Sequence, residues 1–149
     1  ALDATLRAQI LAMRQHVVRE RRVAMIFVPR DLSVVAGLCD RVGVMYGGRI
    51  VETGPVGEVL AAPAHPYTAG LLASIPGDAP SRSKLFQIPG TQPSPMHLPS
   101  GCAFRTRCPI AQDVCAAERP PLAPTPAGRL VACHFAAAHP ISSSQRPAA

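Results

Sequence analysis

Proline is spread so unevenly along this 149-residue chain that it limits where regular structure can form. Of seventeen prolines, only Pro29 lies before residue 55. Each proline removes a backbone donor and restricts its own backbone, so long helices and central strands are disfavoured wherever prolines crowd. The first third can therefore carry regular elements, and the remainder should be largely irregular. Hydrophobic residues make up 48% of the chain, enough for a core. Aromatic residues are only 4% and Trp is absent, which predicts an aliphatic core.

Within that frame the local patterns are clear. Leu6, Ile10, Met13 and Val17 recur at helical spacing, so residues 4–21 read as an amphipathic helix that Asp3 can cap. Residues 23–28, Val-Ala-Met-Ile-Phe-Val, form a short apolar run ended by Pro29. Such a run predicts a strand buried on both faces of a parallel sheet. Asp31 can cap a second helix reaching Leu38. Val42–Tyr46 and Arg49–Thr53 flank Gly47-Gly48, which predicts a tight hairpin. Pro55 opens a helix over 56–62, and Pro66 opens another, with His65 helping to start it. Residues 77–100 read as a proline-rich linker that packs locally, 101–135 hold four cysteines, and 136–149 read as a disordered tail. The helical pattern begins almost at Ala1 with no methionine before it, as expected of a segment cut from a longer chain.

The formal charge is +6, nearly all of it arginine, since Lys84 is the sole lysine. These arginines are scattered and no aromatic stacking platform accompanies them, so solvated faces are expected and not nucleic-acid binding. No apolar run approaches the ~20 residues needed to span a bilayer, and no segment has the layout of a signal peptide. A cytosolic chain is expected, reaching a membrane through a partner and without direct insertion. His16, His65, His97, His134 and His139 are dispersed and no nucleophile has an evident base, so a small self-contained enzyme has little support.

Cys102, Cys108, Cys115 and Cys133 are separated by five, six and seventeen residues, while Cys39 stands apart on a predicted helix as a small hydrophobe. Four clustered cysteines in a cytosolic chain argue for a metal or cluster over disulfides. Structural zinc sites usually draw ligands in close pairs, because one tight turn then supplies two thiolates. No such pair exists here, and wide uneven spacing suits loops wrapping a larger object. Arg105 and Arg107 could offset the negative charge of a cluster. His134 is the spare ligand for a zinc reading.

Several stretches in fixed order resemble one family. Ala1-Leu2-Asp3, Val28-Pro29-Arg30-Asp31-Leu32, Asp40-Arg41-Val42, Val44-Met45-Tyr46, Gly48-Arg49-Ile50-Val51-Glu52 and His65-Pro66-Tyr67-Thr68 resemble the end of an ABC-transporter ATP-binding domain. Ile88-Pro89-Gly90, Pro99-Ser100-Gly101-Cys102, Arg107-Cys108-Pro109, Cys115 and Val131-Ala132-Cys133-His134 resemble the C-terminal extension of its oligopeptide/dipeptide importer branch. The resemblance implies an α/β fold: residues 1–76 as the C-terminal part of an ABC-type P-loop nucleotide-binding domain, followed by a small irregular cysteine-rich extension. It implies a 4Fe–4S cluster on Cys102, Cys108, Cys115 and Cys133, with zinc ranked second and unligated thiols third. It further implies a second ATP-binding subunit and transmembrane permease subunits as partners, at the cytoplasmic face of the membrane.

Phosphoryl transfer in that family needs a phosphate-cradling loop, a Mg²⁺-holding carboxylate and a catalytic glutamate. This sequence contains no G-x-x-x-x-G-K-[ST] run and no Leu-Ser-Gly-Gly-Gln run. ATP and Mg²⁺ are therefore expected only in a full-length parent, and the chain alone is expected to be inactive. Asp3 matches the aspartate of the D-loop at the nucleotide-sandwiched interface. Arg30 stands where the family has its switch histidine. Arginine can contact a phosphate as a permanent cation, but it cannot exchange a proton at neutral pH. Poor hydrolysis at this position in the parent is expected, or else a scar in a degenerate gene copy. The alternative reading is a stand-alone Fe–S or zinc-binding interaction module.

Overall fold

The computed structural model describes Val18, Glu20, Arg21 and residues 23–29, 32–75, 86–126 and 128–136. Asp3, Arg30, most of the expected first helix and all but Ala136 of the expected tail lie outside the described residues. The chain divides into two units, Ala1–Cys39 and Asp40–Ala149.

In the first unit, Val18, Glu20 and Arg21 are helical, and α1 spans Leu32–Leu38. Cys39 follows α1 and is half-buried, so it does not sit on the helix as expected. The expected buried strand over 23–28 is not formed. These residues have no regular structure, and Ile26 is 95% and Val28 88% exposed. An apolar run becomes a central strand only where neighbouring strands satisfy its backbone groups. The sheet of the described residues is built from other strands and does not include this run.

The second unit begins with the hairpin. Strands β1 (Arg41–Tyr46) and β2 (Arg49–Pro55) pair antiparallel, with Tyr46 opposite Arg49 and Arg41 opposite Pro55. Gly47 and Gly48 both have positive φ, 55° and 77°, as a type I′ turn requires. The register shifts between Val44 and Met45, which face Glu52 and Ile50 in turn, so Val51 bulges from β2. Two short strands complete the sheet, β3 (Ala123–Pro124) and β4 (Leu130–Val131). The order is β1-β2-β4-β3, and every pairing is antiparallel. The parallel sheet expected from the sequence is thus replaced, among the described residues, by a small antiparallel one with a few short helices. Hairpins and two-residue ladders need no crossover, which suits a chain so rich in proline.

Pro55 precedes α2 (Val56–Ala61), and Pro66 is the first residue of α3 (Pro66–Ala73). Beyond them come a 3₁₀ turn, Arg105–Arg107, and the five-residue α4, Asp113–Ala117. No described helix is long and apolar enough to cross a membrane. The core gathers Val44, Tyr46, Val51, Val59 and Phe104, with Val42, Tyr67, Leu71 and Ile88 packed against them. Most of these side chains are aliphatic, as composition predicted, but three aromatic rings meet among them. Tyr46 meets Tyr67 at 4.7 Å and Phe104 at 5.1 Å between ring centroids, both edge to face. Composition counts aromatic residues but does not say that the few present gather at one point.

Candidate functional site

Four separate pieces of local structure bring the cysteines together. Cys102 lies in the loop after Gly101, Cys108 ends the 3₁₀ turn, Cys115 sits in α4, and Cys133 follows β4. The Cys102 N–H donates to the Cys115 carbonyl at 2.8 Å, and the Ser100 hydroxyl donates to the Ala116 carbonyl at 3.0 Å, so the first and third are tied by backbone. Gly101 makes that approach possible. Its φ is +64°, and a Cβ there would stand 2.3 Å from the Cys115 carbonyl oxygen. Cys133 is held by the sheet: Val131 pairs with Glu52, and the Ala132 N–H donates to the Val51 carbonyl at 2.8 Å.

All four thiols line one cavity, together with His65, Phe104, Arg105 and His134. The open space between them is about 10 Å³. Among the described residues, no three His, Cys, Asp or Glu side chains are grouped closely enough to hold a single metal ion. Metal bonded to thiolate lies at about 2.3 Å from sulfur for zinc, far inside non-bonded contact. Ligated groups therefore occupy less free space than their size implies, and a narrow space does not exclude them.

Two opposing influences act on the sulfurs, burial and nearby N–H groups. Burial pushes the Cys102 thiol up, while N–H groups of Phe104 and Arg105 and the Arg105 guanidinium pull it down. Burial drives Cys108 up to about 11, against an N–H from Ile110. Burial also raises Cys133, against the Phe135 N–H that reaches its Sγ at 3.4 Å. These thiols also raise one another, as close like charges do. Burial thus works against the thiolate form of Cys102, Cys108 and Cys133, while backbone donors are aimed at each of these three sulfurs. A thiolate-bound cation or cluster would complete that arrangement.

Of the residues expected to balance a cluster, Arg105 lines the cavity, and its Nε donates to the Ser100 carbonyl at 3.0 Å. Arg107 does not line the cavity. It holds the 86–100 segment instead, donating to the Pro89 and Ile88 carbonyls at 2.8 and 3.1 Å. His134 lines the cavity with its Nε2 3.1 Å from the Glu118 carbonyl. A carbonyl only accepts, so that nitrogen carries a proton and cannot be a ligand in this arrangement.

Two features were not legible beforehand. His65, expected only to start a helix, does cap α3 but also forms part of the cavity wall. Glu52, fully buried on β2, accepts from the Ala64 and His65 N–H groups at 2.9 and 3.0 Å and pairs with buried Arg129 at 3.4 Å. Arg129 also donates to the Glu58 and Ala62 carbonyls. Seventy-seven positions separate Glu52 from Arg129, and no local pattern marks the pair.

Known proteins match this chain in the same region. Residues 51–115 match the family "Oligopeptide/dipeptide transporter, C-terminal region". The "Probable peptide ABC transporter ATP-binding protein" y4tS of Sinorhizobium fredii is 50% identical over 144 residues, which is 93% of this chain and 41% of that protein. "Oligopeptide transport ATP-binding protein OppD" is 44% identical over 133 residues in both Salmonella typhimurium and Escherichia coli, covering 89% of this chain and 39% of each protein. The chain thus spans about two fifths of the length of the curated relatives it matches. It belongs to the family of peptide ABC transporter ATP-binding proteins, and residues 51–115 are their oligopeptide/dipeptide transporter C-terminal region.

Proposed function

We propose that this chain is the C-terminal part of an ATP-binding subunit that couples ATP hydrolysis to the import of oligopeptides or dipeptides. Similarity to peptide-transport ATP-binding proteins across 93% of the chain carries the reading. In it, residues 1–76 complete a P-loop nucleotide-binding domain, 77–100 link it to a cysteine-rich extension over 101–135, and 136–149 form a tail. The subunit pairs with a second ATP-binding subunit and drives transmembrane permease subunits from the cytoplasmic face of the membrane. Asp3 belongs to the paired interface. Arg30 meets the terminal phosphate as a fixed cation, which slows hydrolysis at that site relative to a histidine.

Cys102, Cys108, Cys115 and Cys133 hold a 4Fe–4S cluster in this reading, with zinc as the alternative. The shared cavity and the N–H groups directed at three sulfurs support four thiolate ligands. Bound there, the cluster supplies a four-point cross-link between the loops, along with one-electron redox capacity. Arg105 offsets its charge, and β4 fixes its last ligand.

Two experiments test the reading. Reconstitution of the whole ATP-binding protein with its permease subunits in vesicles should give ATP-driven uptake of labelled peptide. Uptake that persists without this subunit rejects the transport role. Iron and acid-labile sulfide analysis of anaerobically purified chain should give about four of each per polypeptide. One zinc and no iron would reverse the choice of cofactor.

A further inference from the structure

We propose that His65 is a positioning residue for the four-cysteine site, presenting its Nε2–H to the sulfurs of the cluster while its Nδ1 caps α3. The inference rests on the cluster reading above and adds a role for a residue outside the ligand set.

The argument starts from one hydrogen bond. The Tyr67 N–H donates to His65 Nδ1 at 3.0 Å, so Nδ1 must be the unprotonated nitrogen. The ring proton therefore sits on Nε2. The cap fixes the tautomer without reference to pH. The ring cannot swing away, because His65 is 1% exposed, its N–H is held by Glu52 at 3.0 Å, and its ring packs 5.8 Å from Phe104. With Nδ1 turned to the helix, the opposite edge of the ring is left for the cavity that the residue lines.

The other cavity side chains are differently engaged. His134 commits its Nε2 to the Glu118 carbonyl, and Arg105 turns its Nε and an Nη to Ser100. His65 is a deeply buried residue of this wall, and its ring proton sits on Nε2. A hydrogen bond to sulfur favours the more negative, reduced form of a cluster, so such a donor raises the reduction potential. The fixed ring also joins the site to the fold, since Glu52 binds both the His65 backbone and Arg129.

Two substitutions separate the two jobs of the ring. In His65→Asn, Oδ1 takes the place of Nδ1 and can accept from the Tyr67 N–H, but the distal donor is gone. In His65→Gln, the longer amide can place an N–H near the Nε2 position, but the cap is lost. The full 149-residue chain should be purified anaerobically and assayed for iron, sulfide, thermal midpoint and cluster potential by dye-mediated spectroscopic titration. His65→Asn should keep its iron and its thermal midpoint and show a lower potential. His65→Gln should lower the thermal midpoint and keep the potential near that of the unaltered chain. An unchanged potential in iron-replete His65→Asn overturns the proposal. Absence of iron from the unaltered chain overturns the cluster reading, and this inference with it.

Discussion

Glu52 and Arg129 show what one buried pair can do for a fold with so little regular structure. The carboxylate joins the sheet to the start of α3, and the guanidinium reaches back to the end of α2. Replacing Arg129 by Met leaves the Glu52 charge buried without a cation. We expect a loss of about 3–5 kcal/mol in urea unfolding, partly recovered when Glu52→Gln is added. Gly101 is equally constrained. Gly101→Ala meets both an unfavourable φ and the Cys115 carbonyl, so a loss of more than about 2 kcal/mol is expected in urea unfolding. His65 makes stability depend on pH. Burial lowers its pKa from 6.5 to about 4, so the unfolded chain binds the proton more tightly than the folded one. Stability should be unaffected above the unfolded value and should fall as pH drops from 6.5 toward 4, by up to about 3 kcal/mol. His65→Asn should flatten that slope in pH-dependent unfolding.

At the scale of elements, the shortest ones matter most. Strand β4 is two residues long, yet it sets Cys133 beside the other thiols. Its hold on β2 includes the Ala132 N–H to the Val51 carbonyl. Ala132→Pro deletes that donor next to Cys133. It should lower the thermal midpoint well below that of the unaltered chain. Elements of this size were legible only where their signals were local. Gly47-Gly48 between two β-rich runs announced the hairpin, and Pro55 and Pro66 announced two helices, because turn and first-turn chemistry act within a few residues. The run at 23–28 misled for the opposite reason. Its hydrophobicity was real, but a strand is a property of neighbours, and pairing partners are not written in the strand itself.

The second unit has two centres that meet at His65 and Phe104: the hydrophobic core and the four-thiol cavity. If a cluster cross-links the loops, removing it should destabilise more than any one ligand contact would. Chelation under reducing conditions should lower the thermal midpoint and increase proteolysis within 101–135, and reloading should restore both. The cysteines were legible as a set because cysteine is rare and reactive wherever it occurs. That Arg107 would serve the 86–100 segment and Arg105 the cavity was not legible, since two arginines two residues apart look alike until the backbone turns between them.

The sequence alone determined the hairpin, the helix starts at proline, the identity of the four thiols and the membership of a family, since each depends on residues near one another or on their order. Tertiary structure alone decided that the sheet is antiparallel, that three aromatic rings meet in the core, that Glu52 finds Arg129, and that His65 joins the cysteines. Those outcomes depend on which distant surfaces become neighbours when water is excluded, and no local pattern carries that information.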